Sequence, residues 1–501
     1  MSDHIRIANL ESDLSARVKS LSSSSEHVNR SRKIVDELLK DGNSYYGINT
    51  GFGALASKKI SPKELEQLQY NIIVSHSVGV GELIPKDISR VMLQLKIHGL
   101  SLGYSGISEE VFKRLVFFAE NDLVPAVPSQ GSLGASGDLA PLAHLSLPLL
   151  GMGSFWSEDG STTIRTSEVY EKLSLEPIKL QPKDGLALCN GTQMMGAYGS
   201  YVLTRAIRLL KQFDIISAMT LDAIKGSMSP FDARIHLLRP HPGQTAVADN
   251  FRKLLADSEI LASEKIFTRV QDPYSVRCIP QVHGACRDTI AHALRVVETE
   301  INSVTDNPIV CEEGDIVSGG NFHGQPIAFA LDFAAIALAE MANISERRIY
   351  LLLKGIGDLP KLLLDDTGVN SGFMIPQYTA ASLVSENKVL CHPASVDSIP
   401  SCLGQEDHVS MGSISAHKLY RIFNNVENVL SIEALTSAQA LDFRTPLKPG
   451  RGVQKAHQCI REIAAHRDRD DYFGDSIDAC RSLMQKSSLL KAVEAEVGEL
   501  A

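Results

Sequence analysis

Apolar positions recur at helical spacing over most of the chain. Residues 11–41 are polar with a helical pattern, interrupted by a predicted loop at Ser22–Ser25. Ser61-Pro62-Lys63-Glu64 has the start signals of a helix over Ser61–Val74: a capping serine, a proline at the first helical position and a glutamate at the third. Ile107-Ser108-Glu109-Glu110 opens another, running to about Asn121, and Val124–Gly137 is Pro- and Gly-rich loop. Residues 150–184 carry the strand and turn signals, with a polar hairpin around Glu158-Asp159-Gly160-Ser161 followed by Pro177–Gln181. From about residue 190 the pattern changes. Thr192–Lys225, Val276–Val304, His323–Lys354, Ile375–Leu390 and His408–Phe443 read as helices, several unusually long. The 323–354 stretch would span roughly 45–50 Å and is apolar on nearly every face. A helix that is hydrophobic all round is buried. One chain of this size rarely surrounds several such helices, so bundle subunits packing on each other are expected. Neither a solenoid repeat nor strand–helix alternation is visible. The expected fold is mainly α: a smaller mixed domain over residues 1–190, then a long-helix bundle and C-terminal helical region over residues 191–501.

Composition narrows the classes. The chain has 501 residues, 44% hydrophobic and 22% charged, enough for a large core. A net charge of −10, with no basic run, argues against nucleic acid as a partner. Eight cysteines without a C-x-x-C pair read as free thiols of a reducing cytosol. The polar, acidic start MSDHIRIANLESDLS is not a signal peptide. Leu139–Trp156 and Gly185–Thr204 lack charge, but their prolines, glycines and amides suit a protein interior better than lipid. A soluble, cytoplasmic protein without membrane spans is expected.

Gly131-Ser132-Leu133-Gly134-Ala135-Ser136-Gly137-Asp138-Leu139 is freer of Cβ constraint than any other stretch that carries chemistry. Asp138 stands where a phosphate-binding loop needs lysine, and where a nucleophile elbow needs its second glycine. No preceding strand supports a dinucleotide fingerprint. A plain turn and a backbone that itself reacts both remain open at this point. Four other stretches place polar groups where a buried loop or helix should have none. Tyr46 lies in the loop Tyr45–Gly53, and Asn190 interrupts an apolar run. Gln271, Tyr274 and Arg277 are spaced three apart at a helix start, nearly on one face. Gln405-Glu406-Asp407-His408 precedes a long helix.

Together these stretches resemble the aromatic amino acid ammonia-lyases, from about residue 45 to about residue 445. The most specific element is Gly134-Ala135-Ser136-Gly137-Asp138-Leu139-Ala140-Pro141-Leu142. The resemblance implies a helical bundle of the fumarase/ammonia-lyase type and a 4-methylidene-imidazol-5-one prosthetic group made from Ala135-Ser136-Gly137. The amide nitrogen of Gly137 would close on the Ala135 carbonyl, and two waters would leave, one of them from the Ser136 side chain. It further implies Tyr46 as the base for the β-proton, which needs a lowered pKa. Arg277 would hold the substrate carboxylate, and Asn190 the carboxylate or the modified peptide. Gln271 and Tyr274 would support substrate and electrophile, with Phe322 lining the pocket.

His76 and Glu406 would frame an imidazole. Phenylalanine-selective relatives carry Gln at the Glu406 position, so the expected substrate is L-histidine and the product trans-urocanate. A homotetramer with shared active sites is implied, and no metal: the spacing of His323, His392, Asp407 and His408 fits no zinc or facial-triad pattern. The alternatives are a tyrosine ammonia-lyase, an aromatic 2,3-aminomutase, or a non-catalytic helical assembly protein with an uncyclised loop.

Overall fold

The computed structural model describes residues 4–53, 57–263 and 270–501. They form two compact units. The first comprises residues 1–204, 293–332 and 393–419, and the second residues 205–292, 333–392 and 420–501. This division differs from the single cut at residue 190 expected from the pattern. The physical reason is that four helices each supply residues to both units: Gln193–Ala223, Ile279–Ile301, Gln325–Leu353 and Gly412–Asp442. All four lie within two to four residues of their expected bounds, because long 3.6-residue periods are the strongest local signal a chain carries.

In the first unit, helices Leu10–Leu21 and Glu26–Leu38 flank the expected break at Ser22–Ser25. Helix Lys86–Ser101 packs against the first of these and against Glu109–Glu120. Among the described residues, three two-stranded antiparallel ribbons accompany the helices. The polar hairpin pairs Ser154–Trp156 with Thr163–Arg165, as expected. Val80–Leu83 with Pro128–Gln130, a pairing absent from the sequence reading, ties Val80 to Gln130. Pro177–Gln181 forms no strand. The helix expected from Ser61 starts four residues later, at Leu65. Ser61 spends its hydroxyl on the Glu64 carboxylate at 2.6 Å, so the capping pair closes a turn ahead of the helix.

Three shorter helices matter most for the site. Leu65–His76, Leu139–Ser146 and Asp184–Cys189 pack mutually. His76 ends the first, the Gly-rich loop leads into the second, and Asn190 caps the C-terminus of the third.

The second unit buries charge as well as apolar surface. Glu433 is fully buried and accepts from Arg348 at 2.5 and 2.8 Å, Ser345 at 2.5 Å and Thr220 at 3.0 Å. Asp214 is met by His283, Asn250 and Arg287 at 2.6–2.8 Å. Each carboxylate is thus satisfied several times over, as burial demands. Helix Gln325–Leu353 is long and apolar enough to cross a membrane by length and composition, and 67% of that window is buried inside the protein.

Candidate active site

The loop at 131–138 folds back on itself. Gly134, Ser136 and Gly137 take φ of 95°, 51° and 80°. The Gly137 N–H donates to the Gly134 carbonyl at 3.1 Å. Segment 190–191 clamps the loop from outside: Asp138 N–H donates to Gly191 O at 2.8 Å, and Gly191 N–H donates to Ser136 O at 3.4 Å. A Cβ on Gly137 would lie 2.1 Å from the Gly191 oxygen and 3.0 Å from the Phe322 oxygen. Phe322 is therefore a neighbour of the loop through its backbone.

Asp138 anchors the other side. Its carboxylate accepts from the Met194 and Met195 amides at 2.8 and 3.1 Å and from Ser413 Oγ at 3.1 Å. The two amides belong to the first turn of helix Gln193–Ala223, whose orphan donors favour an anion. Burial nonetheless outweighs these donors and pushes the carboxyl up to about 7. Ser413 Oγ also lies 2.9 Å from Ser132 Oγ, and Ser132 Oγ donates to the Gly137 carbonyl at 3.1 Å. The sequence reading used Asp138 only to exclude other loops; the signal for its anchoring role was an aspartate directly before an apolar helix.

A cavity of about 200 Å³ opens on the loop, lined by Ser75, His76, Val78, Leu133, Ala135 and Leu139 among others. His76 Nδ1 lies 3.0 Å from Ser75 Oγ. Burial lowers the His76 pKa, while the negative charge of Glu406 pulls it back. The charge of Glu406 also acts on Tyr46, and its Oε2 accepts from Ser401 Oγ at 2.7 Å. The Tyr46 hydroxyl accepts from Gly53 N–H at 3.3 Å. Glu406 thus lies within electrostatic reach of both predicted partners.

One expectation fails. The Tyr46 pKa is raised, by burial first and then by Glu406 and Cys402, with only the Gly53 amide opposing. Burial without a cation disfavours a phenolate, so within this unit Tyr46 is a protonated phenol.

Gln271, Tyr274 and Arg277 belong to the second unit. The helix expected to align them is a single turn, Tyr274–Arg277, and Gln271 precedes it. They meet by another route: Arg277 donates to the Gln271 side-chain oxygen Oε1 and its guanidinium sits 4.8 Å over the Tyr274 ring. Tyr274 is 71% exposed.

Asn190 is buried. Its Nδ2 donates to Asp306 Oδ1 at 3.2 Å and to the Asn307 carbonyl at 2.7 Å. Its Oδ1 has no hydrogen-bond partner among the described residues.

The profile of the aromatic amino acid lyase family matches residues 2–462. The chain belongs to the aromatic amino acid lyase family. A histidine ammonia-lyase of Anaeromyxobacter sp. (strain K) is 49% identical over 473 residues, covering 93% of each chain. The crystal structure of a histidine ammonia-lyase from Trypanosoma cruzi is 39% identical, with a TM-score of 0.86 over 94% of this chain and 89% of its own. A tyrosine aminomutase from Streptomyces globisporus, at 34% identity, superposes with a TM-score of 0.89 over 97% of this chain and 98% of its own. Fold similarity therefore does not separate substrates within the family, whereas sequence identity ranks the histidine enzymes higher.

The residues present fit the prosthetic group that the resemblance implies. Gly137 occupies a position that only glycine can, with its amide nitrogen turned back into the loop. Ser136 is half-buried beside the cavity. The unmatched Asn190 Oδ1 is a buried acceptor awaiting a donor. Among the described residues no group of three or more His, Cys, Asp or Glu side chains is arranged to hold a metal ion.

Proposed function

We propose that this chain is a carbon–nitrogen lyase that eliminates ammonia from L-histidine to give trans-urocanate. The observation that carries the reading is the 49% identity, over 93% of the chain, to a histidine ammonia-lyase; the charge of Glu406, felt at both His76 and Tyr46, agrees with it. A carboxylate and a histidine within electrostatic reach of each other suit an imidazole, which offers a donor and an acceptor. A phenyl ring offers neither.

Ala135, Ser136 and Gly137 would form the 4-methylidene-imidazol-5-one, with the Gly191 amide on the Ser136 oxygen. When formed, the group supplies an electrophile that no unmodified side chain offers. Tyr46 takes the β-proton. Its raised pKa makes it a poor base alone; the ammonium of the bound substrate supplies positive charge that lowers it. Arg277 pairs with the substrate carboxylate, where a planar fork gives two parallel hydrogen bonds. Gln271 and Tyr274 orient substrate beside it. Asn190 offers its free oxygen to a donor on the substrate or the loop, and Phe322 closes the pocket near Gly137.

The active assembly is a homotetramer in which Gln271, Tyr274 and Arg277 come from a neighbouring subunit. Exposed Phe329, Phe333 and Ile336, spaced three or four apart along helix Gln325–Leu353, with Tyr350 exposed further along it, support such an association. The protein acts in the cytoplasm.

Steady-state assays with L-histidine, L-tyrosine and L-phenylalanine test the reading. Urocanate from histidine, at a kcat/KM well above the others, is expected. β-Tyrosine or coumarate as the main product would replace it with the aminomutase or tyrosine-lyase alternative. A chain that turns over none of the three and has lost no water would be a non-catalytic assembly protein.

A further inference from the structure

Helix Lys86–Ser101 carries a lysine, Lys96, between the buried Leu95 and Ile97. Its side chain is buried, and its Nζ donates to the Asn190 carbonyl at 2.6 Å. Lysine is almost never fully buried without a carboxylate partner, yet the carboxylate nearby is engaged elsewhere. Asp306 takes Lys183 Nζ at 2.8 Å, Asn190 Nδ2 at 3.2 Å and the Asn307 amide at 2.7 Å. The groups facing Lys96 are Asp306, Cys189, Lys183 and Asp138. Two lysines against Asp306, with Asp138 pushed up to about 7, leave a net positive charge behind the loop. Keeping such a charge buried costs stability that an apolar side chain of similar volume would not. Its one described hydrogen bond goes to the peptide that clamps the loop.

Resting on the function proposed above, we infer that Lys96 is a positioning residue for the reaction. It holds and polarises the Asn190–Gly191 peptide whose N–H donates to the Ser136 oxygen. The route is short. A cation on a peptide carbonyl draws charge toward that oxygen and makes the N–H of the same peptide a stronger donor. That N–H belongs to Gly191, 3.4 Å from Ser136 O. Burial lowers the Lys96 pKa to about 8, so the side chain is mostly cationic at neutral pH. The same contact fixes the backbone from which the Asn190 side chain projects.

Lys96→Gln and Lys96→Arg separate charge from mere filling. Both are purified with the wild type, and each is read by thermal melting, intact mass and steady-state kinetics on L-histidine. Lys96→Gln is expected to melt near the wild type and to weigh two waters less than its sequence. Its kcat should fall roughly ten- to a hundredfold, less than the roughly hundred- to thousandfold of losing a fixed donor outright because the Gly191 N–H is weakened and not removed, with KM changed by less than about threefold. Lys96→Arg should recover most of that kcat. A Lys96→Gln enzyme with wild-type kcat overturns the inference. So does a loss confined to KM, an equal loss in Lys96→Arg, or a mass that still includes both waters. If the wild type itself forms no urocanate, the function reading fails instead, and the mass and melting data stand apart from it.

Discussion

Replacing Gly137 by alanine should stop the loop from forming its reactive state, and the structure sets the size of the effect. The residue sits at φ 80°, where a Cβ costs about 1–2 kcal/mol. The added carbon would lie 2.1 Å from the Gly191 carbonyl oxygen and 2.7 Å from its carbonyl carbon. Both are backbone, so no side chain can swing aside. Opening that gap to ordinary contact requires 190–191 and 136–138 to separate by about an ångström or more. Two hydrogen bonds join these segments, Asp138 N–H to Gly191 O and Gly191 N–H to Ser136 O. Losing them adds about 0.5–1.5 kcal/mol each. The sum, roughly 2–5 kcal/mol, is a large share of the 5–15 kcal/mol that typically holds a domain together. It falls where the Gly137 nitrogen must close on Ala135. Intact mass and thermal melting measure both consequences. The variant should keep both waters and melt several degrees lower. A Gly137→Ala protein that sheds two waters and melts with the wild type would refute the steric reasoning.

Ser136→Ala should remain folded and assembled, retain its full sequence mass apart from the missing hydroxyl, and lose nearly all turnover. Full turnover would remove the electrophile from the mechanism. Glu406→Gln should lower kcat/KM for L-histidine at least tenfold, about 1.4 kcal/mol or more, while phenylalanine or tyrosine turnover holds or rises. An unchanged substrate ranking would detach Glu406 from imidazole recognition. Asp138→Asn tests a linkage. The folded carboxyl binds its proton up to about 7, against an ordinary value near 3.8. Between those values the folded state holds more protons than the unfolded, so this group makes stability fall as pH rises from about 4 to 7. The wild-type melting temperature relative to the Asn variant should decline across that window, and a constant difference would contradict it.

The long helices were legible because their periodicity extends over tens of residues, and each boundary fell within a turn of expectation. The small elements were not. Val80–Leu83 is exposed along its length, so no buried alternation marked it as a strand. Pro177–Gln181 carried the right residue types, but its Ile178 N–H pairs with the Leu149 carbonyl of a 3-10 turn at 2.8 Å and not with a strand. Tyr46 and Asn190 were visible as polar residues in glycine-rich or apolar settings, Glu406 in a polar cluster before a long helix, and Ala135-Ser136-Gly137 as a backbone freed of side chains, whereas His76 came only from the family resemblance. Lys96, Asp306 and Ser413 were not singled out. They act on the loop through hydrogen bonds to residues 94, 116 and 275 positions away in the chain, and no local pattern encodes such a pairing.

Tyr46 shows what local chemistry requires of its surroundings. The sequence reading asked for a lowered pKa, and the first unit supplies the reverse: burial, with the charge of Glu406 adding to it. A phenol in that setting cannot serve as a base near neutral pH, so charge must arrive from outside the unit. The substrate brings one ammonium. Arg277, in the second unit beside an exposed Tyr274, is the cation the function needs next to the carboxylate, and assembly is the proposed means of bringing it there. It follows that Arg277→Lys, which keeps the charge but loses the fork, should raise KM for L-histidine much more than it lowers kcat. Dilution below the assembly's dissociation range should abolish activity cooperatively, measured as turnover against protein concentration with mass photometry alongside. Full activity in a monomer would show that one subunit supplies the cation itself, and the assignment of 271–277 to a neighbour would fall.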